Sequence, residues 1–210
     1  MEDQGPLEKV TGNLGTEIAA TLIAAFSGTP IAALLPVLTN TLAAGRHKKR
    51  VENAIEQISS DLQKLEDRLE HISDQQYKLI NEAILAIFQT TEEKKIEYLR
   101  NVVRNSIGLD ISDHEASLIS RIIRDMSASE AAFLIETGSY ERISFGESKA
   151  FDDRSYEVAP ASKEGLVVNG LINLGLLTPG EPTNTMSVLL KIAPIAKKIT
   201  ELLLWKEPNQ

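Results

Sequence analysis

Apolar and polar residues follow a helical rhythm along most of the chain, and the clearest stretch begins at Val51. From there to Ala86, apolar residues recur in alternating steps of four and three, which is the repeat of a left-handed coiled coil. The polar Gln76 interrupts this seam and is suited to fixing its register. The predicted seam consists of Val51, Ile55, Ile58, Leu62, Leu65, Leu69, Ile72 and Gln76. The pattern predicts one long helix that pairs with other helices.

The seam is compatible with two kinds of pairing. One set of core positions is mostly Leu and the other mixes Ile with Leu, a distribution that shifts coiled coils from dimers towards larger bundles. We therefore predict a homo-oligomer, with a tetramer favoured. The alternative is an antiparallel helix pair within one chain, because such a pair uses the same seam.

The segment that precedes the seam carries no charge. Ile18–Ala44 contains no charged residue, and the basic run Arg46–Arg50 follows it. A spanning helix needs roughly 20 apolar residues, so the length favours a membrane-prone helix or hairpin, with the basic side in the cytoplasm. The residues assigned to the pore are Ala20, Ala24, Ser27, Gly28, Thr29, Ala32, Leu34, Thr39 and Asn40. The alternative is an Ala-rich helical hairpin buried against protein.

The remaining chain is predicted to be helical with a less regular end. Capping boxes, in which Ser or Thr precedes Glu by three residues, start helices at Thr90, Ser112 and Ser127. Residues 139–160 indicate a loop or weak hairpin. A helix, a Gly-Pro turn, a strand at Met186–Ile192 and a final helix then follow the order found at the end of winged-helix-like modules.

The predicted fold class is therefore mainly α: a membrane-prone segment, a long coiled-coil helix and a small helical, winged-helix-like C-terminal domain. The predicted divisions are a flexible leader at 1–15, the apolar segment at 16–45, the basic collar and oligomerisation helix at 46–89, and a cytoplasmic regulatory domain at 90–210. The localisation that follows is cytoplasmic or associated with the inner membrane.

Composition narrows the functional classes. The chain has 22 Lys and Arg against 30 Asp and Glu, a formal charge of −8, which argues against general coating of nucleic acid. It has no Cys, so thiolate metal sites, disulfides and a cysteine nucleophile are excluded. Neither a phosphate-binding glycine loop nor a histidine pair at metal-binding spacing occurs. We therefore expect no enzyme activity, no catalytic or metal-binding residues and no cofactor.

Cationic residues in the predicted regulatory domain are the candidates for ligand binding. Arg100 and Arg104 are four residues apart and share a helix face, and guanidinium groups bind phosphate oxygens in a bidentate fashion. The alternative is that they pair with acidic residues such as Glu93, Glu97 or Asp110. The predicted anion site consists of Lys94, Lys95, Arg100, Arg104 and Arg142.

The order of these parts resembles a known group of proteins. The apolar run, the basic stop RHKKR, the heptad helix and the segment TTEEKKIEYLRNVVRNSI are similar to small membrane effectors of bacterial anti-phage defence operons. These are the abortive-infection alpha type and the channel effector of Hailong-type systems. The resemblance covers residues 13–107. It implies an oligomeric channel that opens on infection and, for the Hailong type, a nucleotide or short single-stranded DNA bound by the soluble domain.

Overall fold

The structure, a computed structural model, describes residues 46–69, 71–146, 154–182 and 187–204. In these ranges the chain is mainly helical, as its periodicity predicts, and it also contains a small four-stranded sheet. It divides into two compact units, with the boundary after Ala116. The pore residues predicted between Ile18 and Ala44 lie outside the described residues.

The described part of the first unit contains four helices before the one that crosses the unit boundary. They are α1 (Arg46–Gln63), α2 (Glu66–Leu69), α3 (Asp74–Gln89) and α4 (Glu93–Ser106). Each of the longer helices buries one apolar face, and α4 packs against both α1 and α3. Burial of these faces, rather than helix propensity alone, holds such short helices in place.

The prediction of one continuous helix from the heptads is wrong, because a new helix begins within the seam, after Ser73. Ser73 Oγ accepts a hydrogen bond from Gln76 N at 3.3 Å, and Gln76 Oε1 accepts one from Ser73 N at 2.8 Å. This reciprocal pair is a capping box, which marks a helix N-terminus. Gln76, predicted as a polar seam residue, also donates from Nε2 to the carbonyl of Leu109 at 3.0 Å. Gln76 therefore caps the start of α3 and does not lie within one continuous helix.

The first half of the seam is buried within the chain. Val51, Ile55, Ile58 and Leu62 are each no more than 4% exposed, and their helix packs on α4. The relative direction of the two helices follows from two polar contacts. Arg50, early in α1, contacts Thr91 just before α4, and Asp61, late in α1, contacts Arg100 in the middle of α4. The pairing within one chain is therefore observed, with α1 and α4 running parallel rather than antiparallel.

The second unit combines helices with the sheet. Its helices are α5 (Asp113–Asp125, which begins just before the unit boundary), α6 (Ala128–Thr137), α7 (Lys163–Asn173) and α8 (Pro194–Leu203), and its strands are β1 (Arg142–Gly146), β2 (Ser155–Val158), β3 (Leu177–Pro182) and β4 (Ser187–Ile192). The capping box at Ser127 is confirmed, since Ser127 and Glu130 exchange both bonds. At Thr90 the prediction is wrong, because Glu92 is the N-cap and makes no side-chain cap bond.

The sheet has the strand order β2-β1-β4-β3. β1 pairs with β2 in parallel and with β4 antiparallel, and β3 pairs with β4 antiparallel. The segment predicted as a loop or weak hairpin therefore supplies two parallel strands, and the predicted Gly-Pro turn is strand β3. Buried Ile143 and Leu190 face each other across β1 and β4, which fixes the register through the apolar side of the sheet.

The prediction of a membrane channel is also wrong. No helix in the described ranges combines the length and the apolar character that crossing a bilayer requires. The longest described helix, α1, carries charged residues along its polar side, because it is amphipathic and buries only one face. The described helices therefore do not support a membrane channel or pore.

Candidate anion-binding site

A row of polar side chains crosses the sheet of the second unit. In the strand register Arg142 is opposite Lys191 on β4 and opposite Ser155 on β2, while Thr178 on β3 is opposite Lys191. Residues directly opposite on neighbouring strands share a face of the sheet. One face therefore carries Thr178, Lys191, Arg142 and Ser155 side by side.

A cavity of about 480 Å³ opens at the cationic centre of this row. Its lining residues are Glu141, Arg142, Leu189, Lys191 and Ile192. Lys191 is exposed and Arg142 is half-buried, so both charges are accessible from solvent. The aliphatic side chains form an apolar wall beside them. Two aliphatic and two cationic side chains therefore line the same cavity, beside the carboxylate of Glu141.

The charges in this site are unevenly balanced. Like charges directly opposite on neighbouring strands repel each other, and Arg142 and Lys191 are such a pair. Arg154 adds a third cation, while Glu141 supplies the carboxylate: Glu141 Oε2 lies 3.7 Å from Arg142 Nη2 and 3.7 Å from Arg154 Nη1. These four residues comprise three cationic side chains and one carboxylate.

The hydroxyl of Ser155 lies at one end of the row. Ser155 is next to Arg142 in the strand register, and its Oγ is buried without a hydrogen-bond partner among the described residues. A buried polar atom without a partner costs free energy. Ser155 is not among the residues that line the cavity.

The other predicted anion-site residues lie in the first unit, on α4. Lys94 forms an exposed ion pair with Glu97 at 3.8 Å. Arg100 donates from Nε and Nη2 to Asp61 Oδ2 at 3.0 and 2.8 Å, and from Nη1 to Gln57 Oε1 at 2.9 Å. At the other end of the same interface, Arg50 Nη1 donates to the carbonyl of Thr91 at 3.1 Å.

Arg104 is the most buried of these cations. It is 7% exposed, and burial lowers its pKa, an effect that the charge of Asp61 opposes and that of Arg100 increases. Lys95 is half-buried. Arg100 and Arg104 thus share the field of one aspartate that sequence spacing did not indicate, since Asp61 is far from both along the chain.

The structure places the predicted cations in two groups. Lys94, Lys95, Arg100 and Arg104 belong to the first unit, and Arg142 belongs to the second. Lys191 and Arg154, which accompany Arg142, were not predicted. Lys191 lies within the predicted strand, but only the pairing of β4 with β1 brings it beside Arg142. Among the described residues no group of three acidic or histidine side chains is placed to hold a metal ion.

Comparison with known proteins yields no relative. No protein-family model matches the chain, and no match is found among curated proteins or among solved structures.

Proposed function

We propose that this chain is a regulatory adaptor that works by binding, and that its second unit binds a phosphate-bearing ligand on the open face of the sheet. The observation that carries the proposal is the cross-strand pair Arg142–Lys191, which lines a cavity of about 480 Å³. Two repelling cations at the mouth of a cavity are stabilised when an anion lies between them. Nucleotides and short single-stranded DNA both supply such an anion.

The topology of the second unit supports a binding module of the winged-helix-like kind. A helix, α7, leads into the β3–β4 hairpin, and β4 lies between β3 and β1. Folds of one type carry many functions, so the proposal rests on the cationic pair and uses the topology only as context. The absence of catalysis is part of the proposal, as is a role in anti-phage defence, which rests on the resemblance alone.

Self-association is the second part of the adaptor proposal, and the tetramer stays a prediction. The first half of the seam, from Val51 to Leu62, is buried within the chain, so a contact between copies would use another surface. Light scattering on the full chain measures the mass directly, and a monomer at all concentrations contradicts the prediction.

Calorimetric titration with ADP and with a short single-stranded DNA tests the proposed ligand. The variant Arg142→Gln with Lys191→Gln should weaken binding at least tenfold, because both charge-assisted contacts to phosphate are lost. The matched control is Arg121→Gln, which removes an exposed arginine on α5 outside the cavity. It should bind as the wild type does, apart from a small long-range effect of charge.

Two results contradict the proposal. One is a wild-type protein that binds neither probe at low ionic strength. The other is a double variant that binds as tightly as the wild type, in which case the cations of the sheet do not form the site. Urea unfolding of each variant shows whether it is folded under the conditions of the titration.

A further inference from the structure

Glu141 brings a negative charge to one of the two cations of the proposed site. Its Oε2 lies 3.7 Å from a guanidinium nitrogen of Arg142, which lines the cavity together with Glu141, and 3.7 Å from one of Arg154. A carboxylate at ion-pair distance from Arg142 attracts the same guanidinium charge that a phosphate group would need.

The carboxylate is held loosely, while its main chain is fixed. The side chains of Arg142, Glu141 and Arg154 are 37%, 58% and 69% exposed, and ion pairs so open to solvent contribute little to stability. The backbone N–H of Glu141 donates to the carbonyl of Arg154 at 3.2 Å. The side chain can therefore turn out of the cavity without moving the strand that begins at the next residue.

We infer that Glu141 is a built-in competitor for the anion site, and that the ligand is a phosphate group carrying at least two negative charges. This inference rests on the proposed function. A carboxylate or a monoanionic phosphodiester that displaces Glu141 exchanges one negative charge for another and gains little. A terminal phosphate carries about −1.5 to −2 charges at pH 7, and a diphosphate carries more. These ligands therefore bring more negative charge to the cations than the Glu141 carboxylate that they displace.

Nucleotides and single-stranded DNA differ in the charge of the phosphate groups that they offer to this site. The backbone of single-stranded DNA consists of monoanionic diesters, whereas nucleoside diphosphates and triphosphates end in a phosphate with several charges. Glu141 therefore favours a nucleotide with free terminal phosphate over an oligonucleotide backbone.

Calorimetric titration of the full chain with pyrophosphate and with dimethyl phosphate, at constant low ionic strength and pH 8, tests both parts. Wild type should bind pyrophosphate and show much weaker binding of dimethyl phosphate. Glu141→Gln should bind pyrophosphate about three to ten times more tightly, because the competing charge is gone. This gain should disappear in the Arg142→Gln background, where the shared partner is missing.

The matched control is Glu136→Gln, which removes one exposed carboxylate of α6 in the same unit and outside the cavity. It should change the affinity less than twofold, which separates competition at the site from a general change in charge. If neither wild type nor Glu141→Gln binds pyrophosphate, the proposed function itself fails. If wild type binds and Glu141→Gln binds no more tightly, the site stands and the competitor does not. Equal binding of dimethyl phosphate and pyrophosphate to wild type overturns the ligand class.

Discussion

Asp61 of α1 forms an ion pair with Arg100 of α4, and Asp61→Asn tests how much that pair stabilises the packing of the two helices. Its Oδ2 accepts two hydrogen bonds from Arg100, at 3.0 and 2.8 Å. The Asp61 side chain is 9% exposed and that of Arg100 is 22% exposed. The charge of Asp61 also stabilises the protonated form of Arg104, which is 7% exposed.

The expected loss can be estimated from these contacts. A hydrogen bond to a charged group contributes about 1.5–3 kcal/mol, and breaking a fully buried ion pair by removing one partner costs about 3–5 kcal/mol. Partial exposure of Arg100 lets water replace some of the lost interaction. Asparagine keeps the shape and one acceptor but removes the negative charge of Asp61 from beside Arg100 and Arg104. We expect the free energy of unfolding to fall by about 2–4 kcal/mol.

Urea unfolding followed by far-ultraviolet circular dichroism measures this loss. The control is Glu97→Gln, since its ion pair with Lys94 spans 3.8 Å between side chains that are 63% and 65% exposed. Such surface pairs contribute less than about 1 kcal/mol. Arg100→Gln and the double variant with Asp61→Asn complete a cycle, in which the combined loss should be smaller than the sum of the single losses. A loss for Asp61→Asn no larger than that of the control refutes the reasoning.

Three further substitutions test separate parts of the fold. Gly170→Ala should lower the free energy of unfolding by about 1–2 kcal/mol, because its Cβ would collide with Glu130 Oε1 and disturb the cap of α6; unchanged urea stability contradicts this. Burial, and then the charge of Glu164, raises the pKa of Tyr156 above its ordinary 10.0, so stability should fall as the pH rises above 10 through the pKa of the folded state. Tyr156→Phe should remove a tyrosine component that titrates above pH 10 from the near-ultraviolet absorbance curve and should reduce that alkaline loss, whereas an unaltered titration curve argues against it. Leu62 is 1% exposed, so Leu62→Ala should lower the free energy of unfolding by about 2–5 kcal/mol without changing the mass measured by light scattering. A smaller species with unchanged stability would instead indicate that Leu62 contacts another copy of the chain.

The local features of this protein could be predicted from its sequence. Periodic apolar residues predicted a mainly helical chain, and Ser127 with Glu130 marked the start of α6. Both signals act between residues three or four positions apart, so the chain itself contains all the information they need. The cationic character of Arg142 was likewise readable, although its neighbours were not.

The sequence did not determine which distant segments of the chain contact each other. The tertiary structure decided those contacts. A repeat of four and three residues serves an oligomer or a single-chain core equally well, and from Val51 to Leu62 packing against α4 selected the core. Asp61 meets Arg100, and Lys191 meets Arg142, only because distant segments pack or pair. The channel prediction was made from Ile18–Ala44, which lies outside the described residues, and no described helix is long and apolar enough to cross a membrane. Contacts between distant residues are set by the total apolar burial of the folded chain, and no local pattern records that sum.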